Sequence, residues 1–274
     1  MKGLCVQKFV ATGNDFLFVD ARMGLPSAFE KQSRPELVRR LCDRHFGIGA
    51  DGLIFVEGGE HPTHMRWDFY NCDGSAAEMC GNATRCFGRW AFRTLNLSKV
   101  ELETQPGRIL IETDAREVVS HLHYLEVSFE PLAANVDGVK RNAVLINTGV
   151  PHAVVEIEDI KCARREEKLI RELRFHPQAG PKGANVTFLS RMGGNVFSTV
   201  TFERGVENFT FSCGTGVLAA AAVGLKDASA RKAVLHSPGG VLEVEFGEDW
   251  KGARLRGPAR FLFEVEVPEE FFEE

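Results

Sequence analysis

The chain is 274 residues long, 44% hydrophobic, with 33 Lys and Arg against 38 Asp and Glu and a formal net charge of −5. That length accommodates one long domain or two of medium size, and an acidic balance without a Lys/Arg run argues against a nucleic-acid partner. No apolar run approaches a membrane span, and the start Met1-Lys2-Gly3-Leu4-Cys5-Val6-Gln7-Lys8 lacks the apolar core of a signal peptide, so no membrane partner is expected and the cytoplasm is the expected location.

Val6 to Asp20 is apolar on both sides of Ala11-Thr12-Gly13-Asn14-Asp15, which reads as strand, tight turn, strand. A helix follows. Ser33 caps it, Pro35 lies in its first turn, Leu37, Val38, Leu41 and Cys42 form its apolar stripe, and Gly47 is its expected stop. The glycine-rich loop 47–52 feeds a strand at Leu53–Val56, and a polar loop from Gly58 to Thr63 leads to another strand at Met65–Tyr70. Then come Asn71-Cys72-Asp73-Gly74-Ser75, the pair Cys80-Gly81 and a helix to about Leu95. Val100–Thr104, Pro106-Gly107 and Ile109–Glu112 form a hairpin, and Leu122–Phe129 a further strand.

The second half repeats this order. Thr148-Gly149 follows Thr12-Gly13 by 136 residues, Gly183-Ala184 follows Gly49-Ala50 by 134, Cys213-Gly214 follows Cys80-Gly81 by 133, and Pro238-Gly239 follows Pro106-Gly107 by 132. A helix at Glu166–Leu173 matches the first helix. Order and spacing kept this closely indicate duplication of one α/β unit rich in antiparallel strands. The expected domains are residues 1–130 and 131–274, with the last strand, within 264–274, returning to the first domain. The end, Glu269 to Glu274, reads as a solvated acidic tail. Clefts between similar domains are favoured small-ligand sites.

Seven cysteines, an odd number with no C-x-x-C pair, fit neither a secreted disulfide framework nor a standard zinc site, so no metal is expected. Cys5, Cys42, Cys72, Cys86 and Cys162 read as small buried hydrophobes. Cys80 and Cys213 differ, because each stands at the start of a small-residue helix, where unpaired N–H groups and the helix dipole favour a thiolate. One thiolate and one thiol, facing each other across a substrate, can remove a proton from one face of a carbon and return one to the other. The backbone N–H groups of Gly81, Asn82, Gly214 and Thr215 are placed to bind the α-carboxylate.

These residues carry a family resemblance. Thr12-Gly13-Asn14-Asp15-Phe16, Gly47-Ile48-Gly49-Ala50-Asp51-Gly52, Asn71-Cys72-Asp73-Gly74-Ser75, Cys80-Gly81-Asn82 with Arg85-Cys86, Pro151-His152, Gly183-Ala184-Asn185-Val186, Glu203-Arg204-Gly205 and Cys213-Gly214-Thr215-Gly216 together resemble the diaminopimelate epimerases over the whole chain. The resemblance implies an α+β fold of two pseudo-symmetric domains, each a curled, mostly antiparallel sheet around a central helix, with the active site in the cleft between them. It implies a cofactor-independent isomerase of a small amino-acid substrate, with Cys80 and Cys213 as acid and base and a homodimer as the candidate assembly. Asn14, Asn71, Asn185, Glu203 and Arg204 would hold the substrate's far amino and carboxylate groups, and His152 and Glu203 would tune the thiols. Val150 and Gly52 stand where relatives often carry Asn and Gln, and Val206–Phe211 departs from the commoner Gly-Glu-Thr pattern.

Other readings stay open at this stage. One is racemisation of another amino acid, such as histidine or lysine, by the same thiol pair. Phe211–Ala219 also fits the strand–G-x-G-x-x-A–helix fingerprint of a dinucleotide site, though no βαβ series surrounds it. A redox disulfide of Cys80 with Cys213, or a binding module without catalysis, completes the set.

Overall fold

A computed structural model describes residues 3–272, apart from Glu78 and Pro106 and the side chains of Tyr124 and Phe272. The expected Pro106 corner, the first two residues and the last two of the acidic tail therefore lie outside the described residues. In chain order the elements are β1 (Leu4–Ala11), β2 (Asn14–Asp20), α1 (Arg34–Cys42), β3 (Gly52–Gly58), β4 (His64–Asn71), α2 (Gly81–Leu95), β5 (Lys99–Thr104), β6 (Gly107–Thr113) and β7 (Glu117–Glu126). The second half contains β8 (Glu130–Val136), β9 (Val139–Asn147), β10 (Pro151–Glu156), α3 (Glu167–Arg174), β11 (Asn185–Gly193), β12 (Val196–Glu203), β13 (Asn208–Phe209), α4 (Gly214–Leu225), β14 (Lys232–Ser237), β15 (Gly240–Phe246) and β16 (Lys251–Pro258), before β17 (Arg260–Val267) ends the sheet. Among the described residues no helix is long and apolar enough to cross a membrane.

Two compact units result, one of the residues up to Ser120 with those from Pro258 onward, the other His121–Gly257. The sequence reading set the boundary at 130 and the return at 264. In the first unit β17, β1, β2, β3, β4, β5 and β6 join by steps that are antiparallel, antiparallel, parallel, antiparallel, parallel and antiparallel. In the second, β8, β9, β10, β11, β12, β14 and β15 join by the same six steps. β17 thus takes in the first unit the place β8 holds in the second. The fold is α+β and duplicated.

Each parallel step needs a crossover, and each crossover carries a helix. α1 follows β2 and lays Leu37, Val38, Leu41 and Cys42 over Leu17, Val19, Leu53 and Phe55. α3 does the same with Leu169, Ile170 and Leu173 over Val155, Val186 and Phe188. The other crossover helices are enclosed. α2 packs on β1, β2, β5, β6 and β17, and α4 on β9, β10, β11, β12, β14 and β15. Strands so far apart in the sheet can touch one helix only if the sheet curls around it. This enclosure explains α4, which is apolar all round from Val217 to Val223, the pattern of a helix with no solvent face. It also explains Gly88 in α2, where a Cβ would lie 2.5 Å from Ile111 Cγ2.

One expectation on α1 is corrected. The helix ends at Cys42, not Gly47, and Asp43 is already extended. The following loop folds back so that Ile48 and Gly49 donate to the Leu41 carbonyl and Ala50 to that of Cys42, satisfying the helix's last acceptors. Gly47 serves this return, because a Cβ there would meet the Arg40 carbonyl oxygen at 2.2 Å.

Candidate active site

The duplicated topology brings equivalent chain positions to one end of each sheet. In the first unit these are the start of β2 (Asn14), the residue before β3 (Asp51), the end of β4 (Asn71) and the start of α2. In the second they are the start of β10, Asn185 opening β11, Glu203 closing β12, and the start of α4. Cys80 and Cys213 are the N-cap residues of α2 and α4, both extended in backbone and both partly exposed. Gly81-Asn82 and Gly214-Thr215 form the first helical residues, whose N–H groups have no acceptor within the helix.

The first unit ties its site residues into one polar network. Thr12 and Gly13 make the two-residue β1–β2 turn with φ of 44° and 92°. Left-handed backbone is costly for a β-branched residue, and hydrogen bonds offset that cost. The Thr12 hydroxyl donates to Asn82 Oδ1 at 3.0 Å and accepts from Arg85 Nη2 at 2.9 Å. Asn82 Nδ2 donates to Asn14 Oδ1, and Asn14 Nδ2 donates to Asp51 Oδ2 at 2.8 Å. Arg44 bridges Asp51 and Asp15, and Lys8 pairs with Asp15 at 2.9 Å. Burial raises the Asp15 pKa, but hydrogen bonds from Arg44 and Lys8 outweigh it and hold the carboxyl below its usual range. Asn71 stands apart, exposed, donating to Ser75 Oγ at 3.0 Å.

The second unit assembles a different chain. Cys213 Sγ lies 3.3 Å from Thr215 Oγ1, which lies 3.0 Å from His152 Nε2. His152 Nδ1 is 2.9 Å from Thr187 Oγ1, itself 3.0 Å from Thr201 Oγ1. The Arg204 backbone N–H donates to Asn185 Oδ1 at 2.7 Å, leaving Asn185 Nδ2 to donate to His152 Nε2 at 3.3 Å. Arg204 Nη1 is held by the Gly183 carbonyl at 2.9 Å, and Thr210 donates to Glu203. Full burial, with the Arg204 charge as a smaller cause, pushes His152 down to about 3. The imidazole is therefore neutral at physiological pH.

A pH effect follows with a definite sign. The native pKa of His152 lies below its ordinary 6.5, so the unfolded chain binds a proton that the folded protein refuses. Stability is full above pH 6.5 and is lost as pH falls from there toward 3. Thermal melts between pH 7 and 4 are expected to show a steady decline, on the order of a few kcal/mol. His152→Gln should flatten it. The lowered carboxyls Asp15 and Glu207 act only beneath their ordinary 3.8 and 4.5, so the upper part of the window isolates the histidine.

The sequence motifs contain Thr12, Asp51 and Arg85 but give them no site role, and Thr187 and Thr201 of the second network lie outside those motifs. The available signal was the helical spacing of Asn82, Arg85 and Arg89, polar residues on one face of a buried helix. Two glycines also acquire reasons. A Cβ at Gly52 would meet the Tyr70 carbonyl oxygen at 2.6 Å, so no side chain can project from the start of β3. A Cβ at Gly216 would lie 2.3 Å from Thr201 Oγ1 and 3.3 Å from His152 Cε1. The second glycine of the G-x-G-x-x-A run thus admits the Thr201–His152 layer, which accounts for the run without a dinucleotide. Among the described residues no group of acidic, histidine or cysteine side chains could hold a metal ion.

Comparison with known proteins bears on the family and the fold. The sequence profile for diaminopimelate epimerase matches residues 6–122 and again 144–262, once on each repeat. Diaminopimelate epimerase of Aquifex aeolicus is 39% identical over 97% of this chain and 98% of its own length. Those of Hydrogenobaculum and Methanocella arvoryzae are 33% and 34% identical, covering 98% and 96% of this chain and 100% and 96% of their own. Among solved structures, a PhzF-family phenazine biosynthesis protein of Bacillus anthracis aligns with a TM-score of 0.73 at 16% identity, covering 98% of this chain and 100% of that one. A hydroxyproline epimerase of Agrobacterium vitis aligns at 0.67 and 15% identity, covering 97% and 94%. At such identities these two likenesses speak for the fold alone.

Proposed function

The chain belongs to the diaminopimelate epimerase family, and from that premise we propose that it interconverts LL- and meso-2,6-diaminopimelate by two-base proton transfer between Cys80 and Cys213. One thiolate takes the α-proton and becomes a thiol. The electron pair left on the α-carbon delocalises into the carboxylate, whose growing charge is met by the first-turn N–H groups of Gly81, Asn82, Gly214 and Thr215. The opposite thiol then gives its proton to the other face and becomes the thiolate. Nothing is oxidised or reduced, so the step needs no redox partner.

The observation that carries this reading is the repetition itself: two cysteines, each the N-cap of an enclosed helix and each followed by glycine, at equivalent points of one duplicated topology. Asn14, Asn71, Asn185, Glu203 and Arg204 are assigned to the substrate's second amino-acid end, where Glu suits an ammonium and Arg a carboxylate. The part of Asn82 in substrate binding is assigned to its first-turn backbone N–H, its side chain being engaged by Arg85, Thr12 and Asn14. His152 supports Cys213 through the Thr215 hydroxyl.

The test is conversion of LL-diaminopimelate in deuterated solvent without added cofactor. Deuterium at the α-carbon of newly formed meso isomer is the expected result. A panel including lysine, histidine and glutamate completes it. Faster turnover of an amino acid lacking a second amino-acid end would overturn the substrate assignment.

A further inference from the structure

The two helix starts are alike in backbone but not in what lies beneath them. Arg85 is completely buried on α2, and helical side chains lean toward the N-terminus. Its guanidinium accordingly reaches back to the first turn, donating from Nη1 to the Gly81 carbonyl at 3.1 Å and from Nη2 to Thr12 Oγ1 and Asn82 Oδ1. All three acceptors are neutral, and Nε, also buried, has no acceptor. A buried cation without an anion is costly. The nearby carboxylates are engaged elsewhere: Asp15 by Lys8 and Arg44, and Asp51 by Arg44 and Asn14. The ionisable groups that act on Arg85 are the thiols of Cys86 and Cys80. Cys86 is fully buried, and desolvation pushes its thiol far up, so it stays protonated. Cys80 is partly exposed and caps the helix, so it can carry the charge.

The second unit lacks this cation. The residue that follows Cys213 as Arg85 follows Cys80 is Leu218, which is buried. Its hydrogen bonds have a fixed polarity instead. The Arg204 backbone N–H can only donate, so Asn185 Oδ1 accepts and Nδ2 donates to His152 Nε2. Nε2 is then bare, the neutral ring's proton sits on Nδ1, and the Thr215 hydroxyl donates to Nε2. With the hydroxyl proton directed to the single lone pair of Nε2, the closer of its two contacts at 3.0 Å against 3.3 Å, the Thr215 oxygen accepts from Cys213, which in this arrangement brings an S–H. The Arg204 guanidinium is partly exposed and held by the Gly183 carbonyl, where solvent screens it.

We propose that Arg85 is a positioning residue that fixes the resting state of the thiol pair, with Cys80 as the thiolate and Cys213 as the thiol. This rests on reading the two cysteines as the acid and base, but not on the identity of the substrate. The test is therefore made without substrate. The full chain is alkylated with iodoacetamide across a pH series, and the rates at Cys80 and Cys213 are read separately by peptide mass spectrometry. In the unmodified protein, half-maximal alkylation of Cys80 is expected at least one pH unit below that of Cys213, a tenfold difference in thiolate fraction. Arg85→Gln should move the Cys80 profile up by about 1–2 units, as loss of a nearby opposite charge does, and leave Cys213 in place. Arg85→Lys, which keeps the charge, should restore most of the shift, an effect that mere packing would not produce. Coincident wild-type profiles, a lower one for Cys213, or an Arg85→Gln profile unchanged at Cys80 would each overturn the proposal. Should Arg85→Gln fail to fold, Arg85→Met, which keeps most of the side-chain volume without the charge, is read in its place, with the same upward shift at Cys80 expected and an unchanged profile overturning the proposal. Failure to turn over diaminopimelate would leave these profiles unaffected.

Discussion

Replacing either Cys80 or Cys213 with alanine is expected to lower kcat/KM for epimerisation by about 10³-fold or more, with little change in stability. A positioned acid or base typically contributes about 10²–10⁴-fold, and inversion needs both in one turnover, so neither can stand in for the other. Both side chains are only partly buried, and losing a sulfur there opens no core cavity. Melting should stay within about 1 kcal/mol of the parent. The two variants are further expected to differ in kind. Cys213→Ala keeps one base and should still exchange the α-proton of one epimer with solvent deuterium while retaining its configuration. Cys80→Ala should do so, more slowly, for the other. Proton exchange by NMR, set beside optical rotation, separates exchange from inversion. Full inversion in either single variant would remove the two-base mechanism.

Much of the scaffold was legible because local signals agreed with the fold. The stripe Leu37, Val38, Leu41, Cys42 had one use, and Thr12-Gly13 between two apolar runs could only be a tight turn. The repeat of Thr-Gly, Gly-Ala, Cys-Gly and Pro-Gly carried the duplication. The β8–β9 hairpin escaped notice. Its strands have weak, partly exposed faces held by neighbouring pairings. The Asp137-Gly138 turn, with φ of 51° and 81°, was nonetheless a standard hairpin signal. β16 was missed for a related reason, since Gly252, Gly257 and Pro258 break up its pattern. At the site, the cysteines announced themselves by position, whereas the hydroxyl chain did not. Thr187 and Thr201 read as ordinary β-branched strand formers. That the Thr187 hydroxyl meets both His152 and Thr201 depends on the register of β10, β11 and β12, which sequence leaves open.

That register makes Gly216→Ala the second large effect. The new methyl would sit 2.3 Å from Thr201 Oγ1 and 3.2 Å from Cys213 Cβ, inside a layer with no room to yield. Thr201 is buried on β12 and anchored to Thr187, so α4 must lift at its first turn. The 3.3 Å and 3.0 Å contacts from Cys213 through Thr215 to His152 run through that turn and would open with it. Overpacking of this kind costs about 1–3 kcal/mol, and displacing a proton donor by about an ångström costs about 10²-fold in rate. Both losses are expected, measured by chemical denaturation and by kcat/KM. A cycle with Thr201→Ala identifies the cause. That change removes the oxygen in the way but leaves the Thr187 hydroxyl on His152. The double variant should therefore recover most of what Gly216→Ala loses, with a coupling of about 1–3 kcal/mol. Simple additivity would mean that residue 216 acts through helix propensity alone. The fixed polarity of the Cys213–Thr215–His152 chain would then have to be sustained by something other than the packing of α4 on β12.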